Sequence, residues 1–490
     1  MVTILGANSV SGYDIDNSLR FNDDDSPLLS ITFGQAPTNA QKCTFSMWYK
    51  MTAVAASTSH IYRYNDGSDT GGFNIRSDDF PHFFFTDSGG GSANLNANPT
   101  AQRDPSAWYH VVIACDTTLS TATNRARMYI NGVEQTTFAT DTAPGQNTTL
   151  IHNANGETYY VGGDGQSSNR YWDGCLADFY LVDGQQLEPT DFGEYNDDGV
   201  WIPINYTGSC GDNGFKLEFK ETGTSQNAAG IGADTSGSGN HFAVANLAAT
   251  DVTTDTPTNN FCTLNSVDID STRPTLAEGN LDYHSANGTA FNPVRSTMAV
   301  TKGKWYAEWK YINTAGFLGV ITTQSPLTGN IVSDADVRSV LRIPAGFYGV
   351  RNNSGSGTDI GDNSQTFSDN DIGQIALDMD NGYVYIGING TYLKGQDGST
   401  TGNPAGNNGA AGGAANHPTQ LLTDQHDGTN AFVAGDYVSG TTGQIQCNFG
   451  GGAPFAISSG NADANGHGNF EFAVPSGYFA LCTKNLAEFG

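Results

Sequence analysis

The sequence predicts an all-β chain folded as two tandem antiparallel β-sandwiches. Three observations predict it. Apolar and polar residues alternate with period two in many short stretches, the mark of strands that bury one face. With 61 Gly and only 14% charged residues in 490, the polar surface must come mostly from Ser, Thr, Asn, Gln and Gly, as in turn-rich β proteins. No long amphipathic crossover pattern separates the strands, which argues against a parallel α/β sheet. Helix is expected to be scarce.

Length and charge set further bounds. A chain of 490 residues is too long for one ordinary core, so two domains are expected, with the junction near Pro257, giving 1–256 and 257–490. Lys and Arg number 21 against 50 Asp and Glu, a formal net charge of -29 that repels a phosphate backbone. Nucleic-acid binding is excluded first. The 21 Tyr, 26 Phe and 6 Trp are more than a disordered acidic chain carries, so the chain should fold. No window reaches eighteen apolar residues, and MVTILGANSVSGYDIDN lacks the basic start and apolar run of a secretory signal, so no membrane insertion is expected. Seven Cys, widely spaced and without a CxxC pair, indicate neither a zinc cage nor a disulfide framework and suit a reducing cytoplasm. Cys115 and Cys482 read as buried small hydrophobes, and a contact between Cys262 and Cys482 is a minor alternative.

Taken in order, the strands divide into two similar modules. In the first, Trp108 to Asp116 is followed by a polar break and then RARMYINGV, with Asn131-Gly132 as a hairpin dipeptide. In Phe215 to Lys220 the apolar side chains alternate with charges. From Thr222 to Asn260 the chain turns rich in Gly, Ser, Thr, Ala and Asn, either as a linker or as a long rim of the first sandwich. In the second module, Lys304 to Tyr311 puts Trp305, Ala307, Trp309 and Tyr311 on one face and Lys304, Tyr306, Glu308 and Lys310 on the other. Ile372 to Asp380 then runs through Asn381-Gly382 into YVYIGINGT, with Asn389-Gly390 in the equivalent place. The low-complexity stretch Gly395 to Asn416 is expected as an exposed loop.

Patterns for catalysis are missing. Retaining sugar hydrolysis needs two carboxyl groups about 5 to 5.5 Å apart, and the alternating Glu-x-Asp-x-(x)-Glu run that would place them is not present. Asp378 and Asp380 share a strand face but lead into a turn, and Glu218 and Glu221 read as solvated charges. No G-x-S-x-G or HExxH occurs, and His110 in WYHVV reads as structural. A non-enzyme is expected. For glycan recognition the expected constellation is an aromatic ring beside Asp or Asn in a loop, met best by Tyr62, Tyr64, Asn65, Asp66 and Asp69. Tyr171 and Trp172 are the alternative, read more readily as packing, and Phe83 to Phe85 should send one ring outward. Acid-rich runs at 23–25, 65–69, 78–79 and 196–198 offer oxygen ligands for calcium, without EF-hand spacing.

The motifs NSLRFNDDDSPLLS, TFSMWYK, DPSAWYHVVIACDTT, NRARMYINGVE and GCLADFYLVDGQQLEPTDFGEYNDDGVWIPINYTG resemble the laminin-G-like, concanavalin A-type lectin module of tailed-bacteriophage virion proteins, over roughly residues 12 to 260. GKWYAEWKY, GVITT, IGQIALDMDNGYVYIGINGT and PSGYFALCTKNL resemble a SPRY module. The resemblance implies two concanavalin A-like jelly rolls in a virion protein such as a tail fibre or capsid appendage. It implies binding to a host-surface glycan or protein, contacts with other virion proteins, a homotrimer, and calcium as an occasional ligand at the sandwich rim. Capsid decoration or tail assembly is the alternative role, and a polysaccharide depolymerase the minor one.

Overall fold

The computed structural model describes residues 12–52, 58–66, 68–86, 91–97, 101–165, 170–271, 274–286, 291–313, 315–327, 339–342, 348–351, 357–359, 367–394, 400–408, 428–436 and 442–490. They fall into two compact units, one ending at Thr258 and the other running from Asn259 to Gly490.

The first unit opens with β1 (Ser18–Phe21), β2 (Leu28–Thr32), β3 (Lys42–Met51), β4 (Ser59–Asn65), β5 (Thr70–Ile75) and β6 (Pro81–Thr86). It continues through β7 (Ser92–Ala97), β8 (Trp108–Asp116), β9 (Ala126–Ile130), β10 (Val133–Glu134), β11 (Phe138–Thr142) and β12 (Thr158–Val161). It closes with β13 (Gly174–Asp183), β14 (Gly193–Tyr195), β15 (Trp201–Pro203), β16 (Phe215–Leu217), β17 (Ala243–Ala245) and β18 (Val252–Thr253). Two large antiparallel sheets result, ordered β10-β9-β8-β3-β13-β1-β18, with β16 also on β13, and β11-β7-β6-β5-β4-β12-β2-β17, while β14 and β15 pair as a separate two-stranded ribbon. Their facing residues make one core: Phe45, Met47 and Tyr49 of β3 and Ile113 and Cys115 of β8 meet Tyr62, Phe73, Phe83 and Leu95 of the other sheet. The expected Asn131-Gly132 turn joins β9 to β10, with φ of 48° and 79°. The stretch after Thr222 supplies β17 and β18, one edge strand to each sheet, and so serves as rim.

The second unit adds β19 (Leu264–Ile269), β20 (Thr275–Ala277), β21 (Asp282–His284), β22 (Val294–Val300), β23 (Lys304–Tyr311), β24 (Gly316–Thr322) and β25 (Ser339–Arg342). Then come β26 (Tyr348–Arg351), β27 (Gly357–Asp359), β28 (Ile372–Asp378), β29 (Tyr383–Ile388), β30 (Thr391–Tyr392), β31 (Asn430–Asp436), β32 (Gln444–Asn448), β33 (Phe479–Ala480) and a helix α1 (Thr483–Phe489). The sheets are β19-β22-β31-β24-β25-β26-β27 and β20-β21-β32-β23-β28-β29-β30, with β33 parallel to β23. Trp305, Ala307, Trp309 and Tyr311 are fully buried between them, on the face that alternation predicts. The other face of β23 is not solvent: Tyr306 and Glu308 are 0% exposed. Of the stretch Gly395 to Asn416, residues 395–399 and 409–416 lie outside the described residues.

All seven cysteines are buried and none forms a disulfide. Cys262 packs in the inter-sheet core while Cys482 sits in a separate cluster with Phe261 and Tyr306, so the suggested contact between the two is not made. Alternation explains it, because it is Phe261 that pairs with Cys482 and the next side chain points the opposite way.

One core position is chemically mismatched. His152 is 0% exposed among Phe45, Phe83 and Phe85, and neither ring nitrogen has a hydrogen-bond partner. A buried N–H without an acceptor costs about 1–3 kcal/mol, so His152→Leu is expected to stabilise this unit by about 1 kcal/mol, read by urea denaturation.

Candidate functional site

One candidate site among the described residues lies on the outer face of the first sheet, where β13 is irregular. Ala177 pairs with Trp48 and Tyr180 with Ser46, so Asp178 and Phe179 together oppose one residue of β3. This bulge holds Asp178 at φ 47°, a left-handed conformation that a non-glycine residue adopts only under constraint. Phe219, just beyond β16, sits at φ 55°. Strained backbone of this kind concentrates at functional sites.

The bulge places a carboxylate beneath a lysine. Asp178 is 3% exposed; Tyr13 Oη donates to its Oδ2 at 2.9 Å and Tyr180 Oη at 3.2 Å. Lys216, brought alongside by β16, puts Nζ 3.6 Å from Asp178 Oδ1 and 3.1 Å from Glu218 Oε1, and donates to Asn205 Oδ1 at 3.2 Å. The ammonium also lies over the rings of Tyr13 and Tyr180, at 5.3 and 5.1 Å. The two carboxyl groups are driven apart. Burial pushes Asp178 up to about 6 against the pull of Lys216. For Glu218 burial works against the charge, but hydrogen bonds from Lys220 and Thr235 and the Lys216 ammonium outweigh it and hold the group down at about 2.

Above this floor opens a cleft of about 260 Å³ lined by Tyr180, Asn205, Tyr206, Lys216, Glu218 and Thr235. Tyr206 is half-buried, its ring braced 5.0 Å from Phe192. Asn205 is exposed. A ring, an amide, an ammonium and a carboxylate in one small cleft can stack on a sugar face and satisfy neighbouring hydroxyls, each of which donates once and accepts twice. Proton transfer to a ligand is poorly served. Asp178 does not line the cleft, and its oxygens are taken by two phenols and a lysine.

A second arrangement looks catalytic and is not. His110 Nε2 is 2.8 Å from Ser46 Oγ, and Trp201 Nε1 donates to His110 Nδ1 at 3.0 Å. Indole is a donor only, so Nδ1 must be the unprotonated nitrogen and Nε2 carries the hydrogen. The ring therefore donates to the serine and cannot take its proton. Stacked 4.7 Å from Trp48 and 1% exposed, it is pushed by burial down to about 3.

The sequence-predicted ligand residues are brought together, but not as a binding surface. Tyr62 and Tyr64 are 1% and 2% exposed, because β4 runs on through Asn65 and the inward phase of the strand falls on both rings. Tyr62 Oη donates to the carbonyl of His152 and Tyr64 Oη to Asp66 Oδ2. Asp66 Oδ1 accepts the Ser68 and Asp69 N–H groups at 2.8 and 2.7 Å, and Asn65 pairs with Thr70. These residues close a hairpin. The exposed-aromatic reading of Tyr62 and Tyr64 is thereby corrected. Trp172 is likewise core, whereas Phe83 and Phe85 point in and Phe84 out. Of the acid-rich runs, Asp78 pairs with Arg76 and Asp79 with Arg103, and Asn196 caps its own turn. Among the described residues no group of three or more His, Cys, Asp or Glu is placed to hold a metal ion. Among them, too, no helix is long and apolar enough to cross a membrane.

The sequence reading missed Asp178 and Lys216 and left Glu218 in solvent. A signal was present: GCLADFYLVD carries a lone acid inside an apolar strand, which calls for a partner.

Comparison with known proteins agrees with this architecture. The family model for the concanavalin A-like lectin/glucanases superfamily, laminin G type, matches residues 29–190. No curated protein matches the sequence. Among solved structures, domains LG4-5 of the mouse laminin alpha1 chain are similar over 90% of this chain and 89% of theirs, at 11% identity and a TM-score of 0.29. The SPRY domain of human HERC1 is similar over 38% of this chain and 96% of its own, at 13% identity and a TM-score of 0.26. The heptameric SAP-like pentraxin of Limulus polyphemus is similar over 35% and 77%, at 17% identity and a TM-score of 0.26. The fold is concanavalin A-like, of laminin G type, and nearly all β.

Proposed function

We propose that this chain is a non-catalytic carbohydrate-binding protein whose first unit holds a sugar in the cleft between Tyr206 and the Lys216–Glu218 pair. One observation carries the reading: an ammonium, a carboxylate and an amide converge beside a braced ring in a cleft of about 260 Å³, small enough to select a single pyranose. The lectin-type family match over residues 29–190 supports the same class of ligand. At the finer level we read the chain as a virion appendage of tail-fibre type that attaches to a host-surface glycan, with 1–256 as the lectin-like domain and 257–490 as the SPRY-like one. The motif resemblance given above supports that role, and a homotrimer would multiply weak contacts through avidity.

The test is a glycan array followed by calorimetry on the best ligand. Tyr206→Ala removes the stacking ring and Lys216→Met the ammonium while keeping the stem. Each is expected to weaken binding by about tenfold or more, with the Tyr206 variant still folded and its melting temperature lowered by only a few degrees through the lost packing on Phe192. Full affinity in both variants would remove the cleft as the site. A particle reconstruction with this chain at no exposed position would remove the attachment role.

A further inference from the structure

The cleft of the first unit has a floor and a rim of different chemistry. Three of its lining residues are buried, Tyr180 at 2% exposed, Cys210 at 4% and Lys216 at 8%. Asn205, Thr207 and Thr235 stand exposed around its mouth, so a ligand can enter. The floor spends its polar groups inward. Lys216 directs its three N–H bonds at Glu218 Oε1, Asn205 Oδ1 and Tyr13 Oη, at 3.1, 3.2 and 3.1 Å. Tyr180 turns its hydroxyl to Asp178, which lies outside the lining, and so shows the cleft its ring. Burial pushes the Cys210 thiol up to about 12, so it stays neutral and packs as a small hydrophobe. A sugar hydroxyl seated on this floor would leave water for no partner, whereas a methyl group would gain.

The walls above the floor keep one donor and one acceptor. Lysine only donates, so the end of the Asn205 amide that faces Nζ is the oxygen, and the NH2 is the end left to a ligand. A carboxylate has about four lone-pair positions, and on Glu218 three are met by Lys216, Lys220 and Thr235. Its side chain is 25% exposed, so the remaining position is within reach. Asn205 and Glu218 both touch the Lys216 ammonium, which holds their open positions close together. The charged groups lining the cleft are this one ammonium and this one carboxylate, which cancel and so select neither an acid nor an amine.

We propose that the cleft selects a 2-acetamido sugar, its methyl seated on Tyr180 and Cys210, its carbonyl accepting from Asn205 Nδ2 and its N–H donating to Glu218. The assignment rests on the cleft as the sugar site and adds which sugar enters it. A secondary amide brings an acceptor, a donor and a methyl in one small group, whereas a hydroxyl lacks the methyl and a 6-deoxy sugar lacks the paired polar atoms. Lys216 acts on the ligand as a positioning residue, through the two partners it holds.

Calorimetry and saturation-transfer NMR on the full chain test it, with methyl glycosides of N-acetylglucosamine and N-acetylgalactosamine set against those of glucose, galactose and rhamnose. The better 2-acetamido sugar is expected to bind at least about tenfold more tightly than its 2-hydroxy counterpart, from one added methyl and a matched hydrogen-bond pair. Its acetyl methyl protons should be the most strongly saturated. Asn205→Asp keeps an oxygen toward Lys216 but loses the NH2 donor, and should erase the preference. Equal binding of acetamido and hydroxy sugars, both weakened by Tyr206→Ala, would leave the cleft as the sugar site and overturn this choice of ligand. So would tighter binding of the rhamnoside, or a preference that survives in a folded Asn205→Asp protein. Binding of neither acetamido sugar at about 10 mM would overturn the choice as well, and the effect of Tyr206→Ala on the best array glycan then separates that failure from failure of the cleft.

Discussion

Acidification from pH 7 to 5 is expected to unfold the first unit. His60, His82, His110 and His152 all lie in it, each at most 7% exposed. Burial, aided at three of them by nearby arginines, drives the imidazoles down to about 3, 4, 3 and 3. All four folded-state values lie below the unfolded value of about 6.5. The native state therefore holds the rings neutral while the unfolded chain takes up protons. Their stabilising contribution is full above about pH 6.5 and is lost as pH falls from there toward 4 and 3. At pH 5 each ring forfeits about 2 kcal/mol, or about 8 in all. Asp178 acts in the opposite sense. Its folded value of about 6 exceeds that of a free Asp, so protonation relieves a buried charge and returns about 1 kcal/mol at pH 5. Glu218, held at about 2, loses its contribution only below about pH 4.5. The net loss of about 7 kcal/mol matches the whole stability of an ordinary domain, about 5–15 kcal/mol. The check is a pH titration followed by tryptophan emission, since four of the six Trp (48, 108, 172 and 201) belong to this unit. His152→Leu should shallow the pH slope by about a quarter. A first unit still folded at pH 4 would refute the assignment.

The strands were legible because alternation is local. Trp305, Trp309, Phe215 and Leu217 all point where period two puts them, and the Asn131-Gly132 and Asn389-Gly390 hairpin turns form. What lies over the outer face of a sheet is not local. Lys216 and Glu308 alternate like solvent-facing residues, yet they are 8% and 0% exposed, since chain from far along the sequence covers them. A bulge is equally hidden: nothing in ADFY announces that Asp178 takes φ 47°, or in HIYRY that Ile61 is the extra residue that puts His60 and Arg63 on one side. The candidate glycan residues failed for that reason. Tyr62 and Tyr64 were placed in a loop by the polar run that follows them, whereas the strand simply continues.

The second unit depends on one of these concealed groups. Glu308 Oε1 accepts the Phe472 N–H at 2.8 Å and the Tyr306 hydroxyl at 2.8 Å, and Oε2 the Glu471 N–H at 2.9 Å. Burial raises its pKa, and these donors oppose that rise. The carboxylate thereby fastens the segment at 469–472 across β23. Asn448 Nδ2 reinforces it by donating to the Asn469 carbonyl at 2.9 Å, and Phe470 packs edge-on against Tyr306, centroids 5.0 Å apart. Glu308→Ala leaves two backbone N–H groups and the Tyr306 O–H without an acceptor in a buried site, while Gln374 still donates to that phenol oxygen. Hydrogen bonds to a charged group are worth about 1.5–3 kcal/mol each, so a loss on the order of 4 kcal/mol is expected. For a unit of this size that is a fall in melting temperature of roughly 10 °C. Glu308→Gln keeps the shape and one acceptor oxygen and should fall between. Hydrogen exchange separates a fastened segment from a general loss of packing: the amides of Glu471 and Phe472 should become the first in the unit to exchange. Melting within about 2 °C of the parent, with those two amides still protected, would show that Glu308 does not hold the segment down.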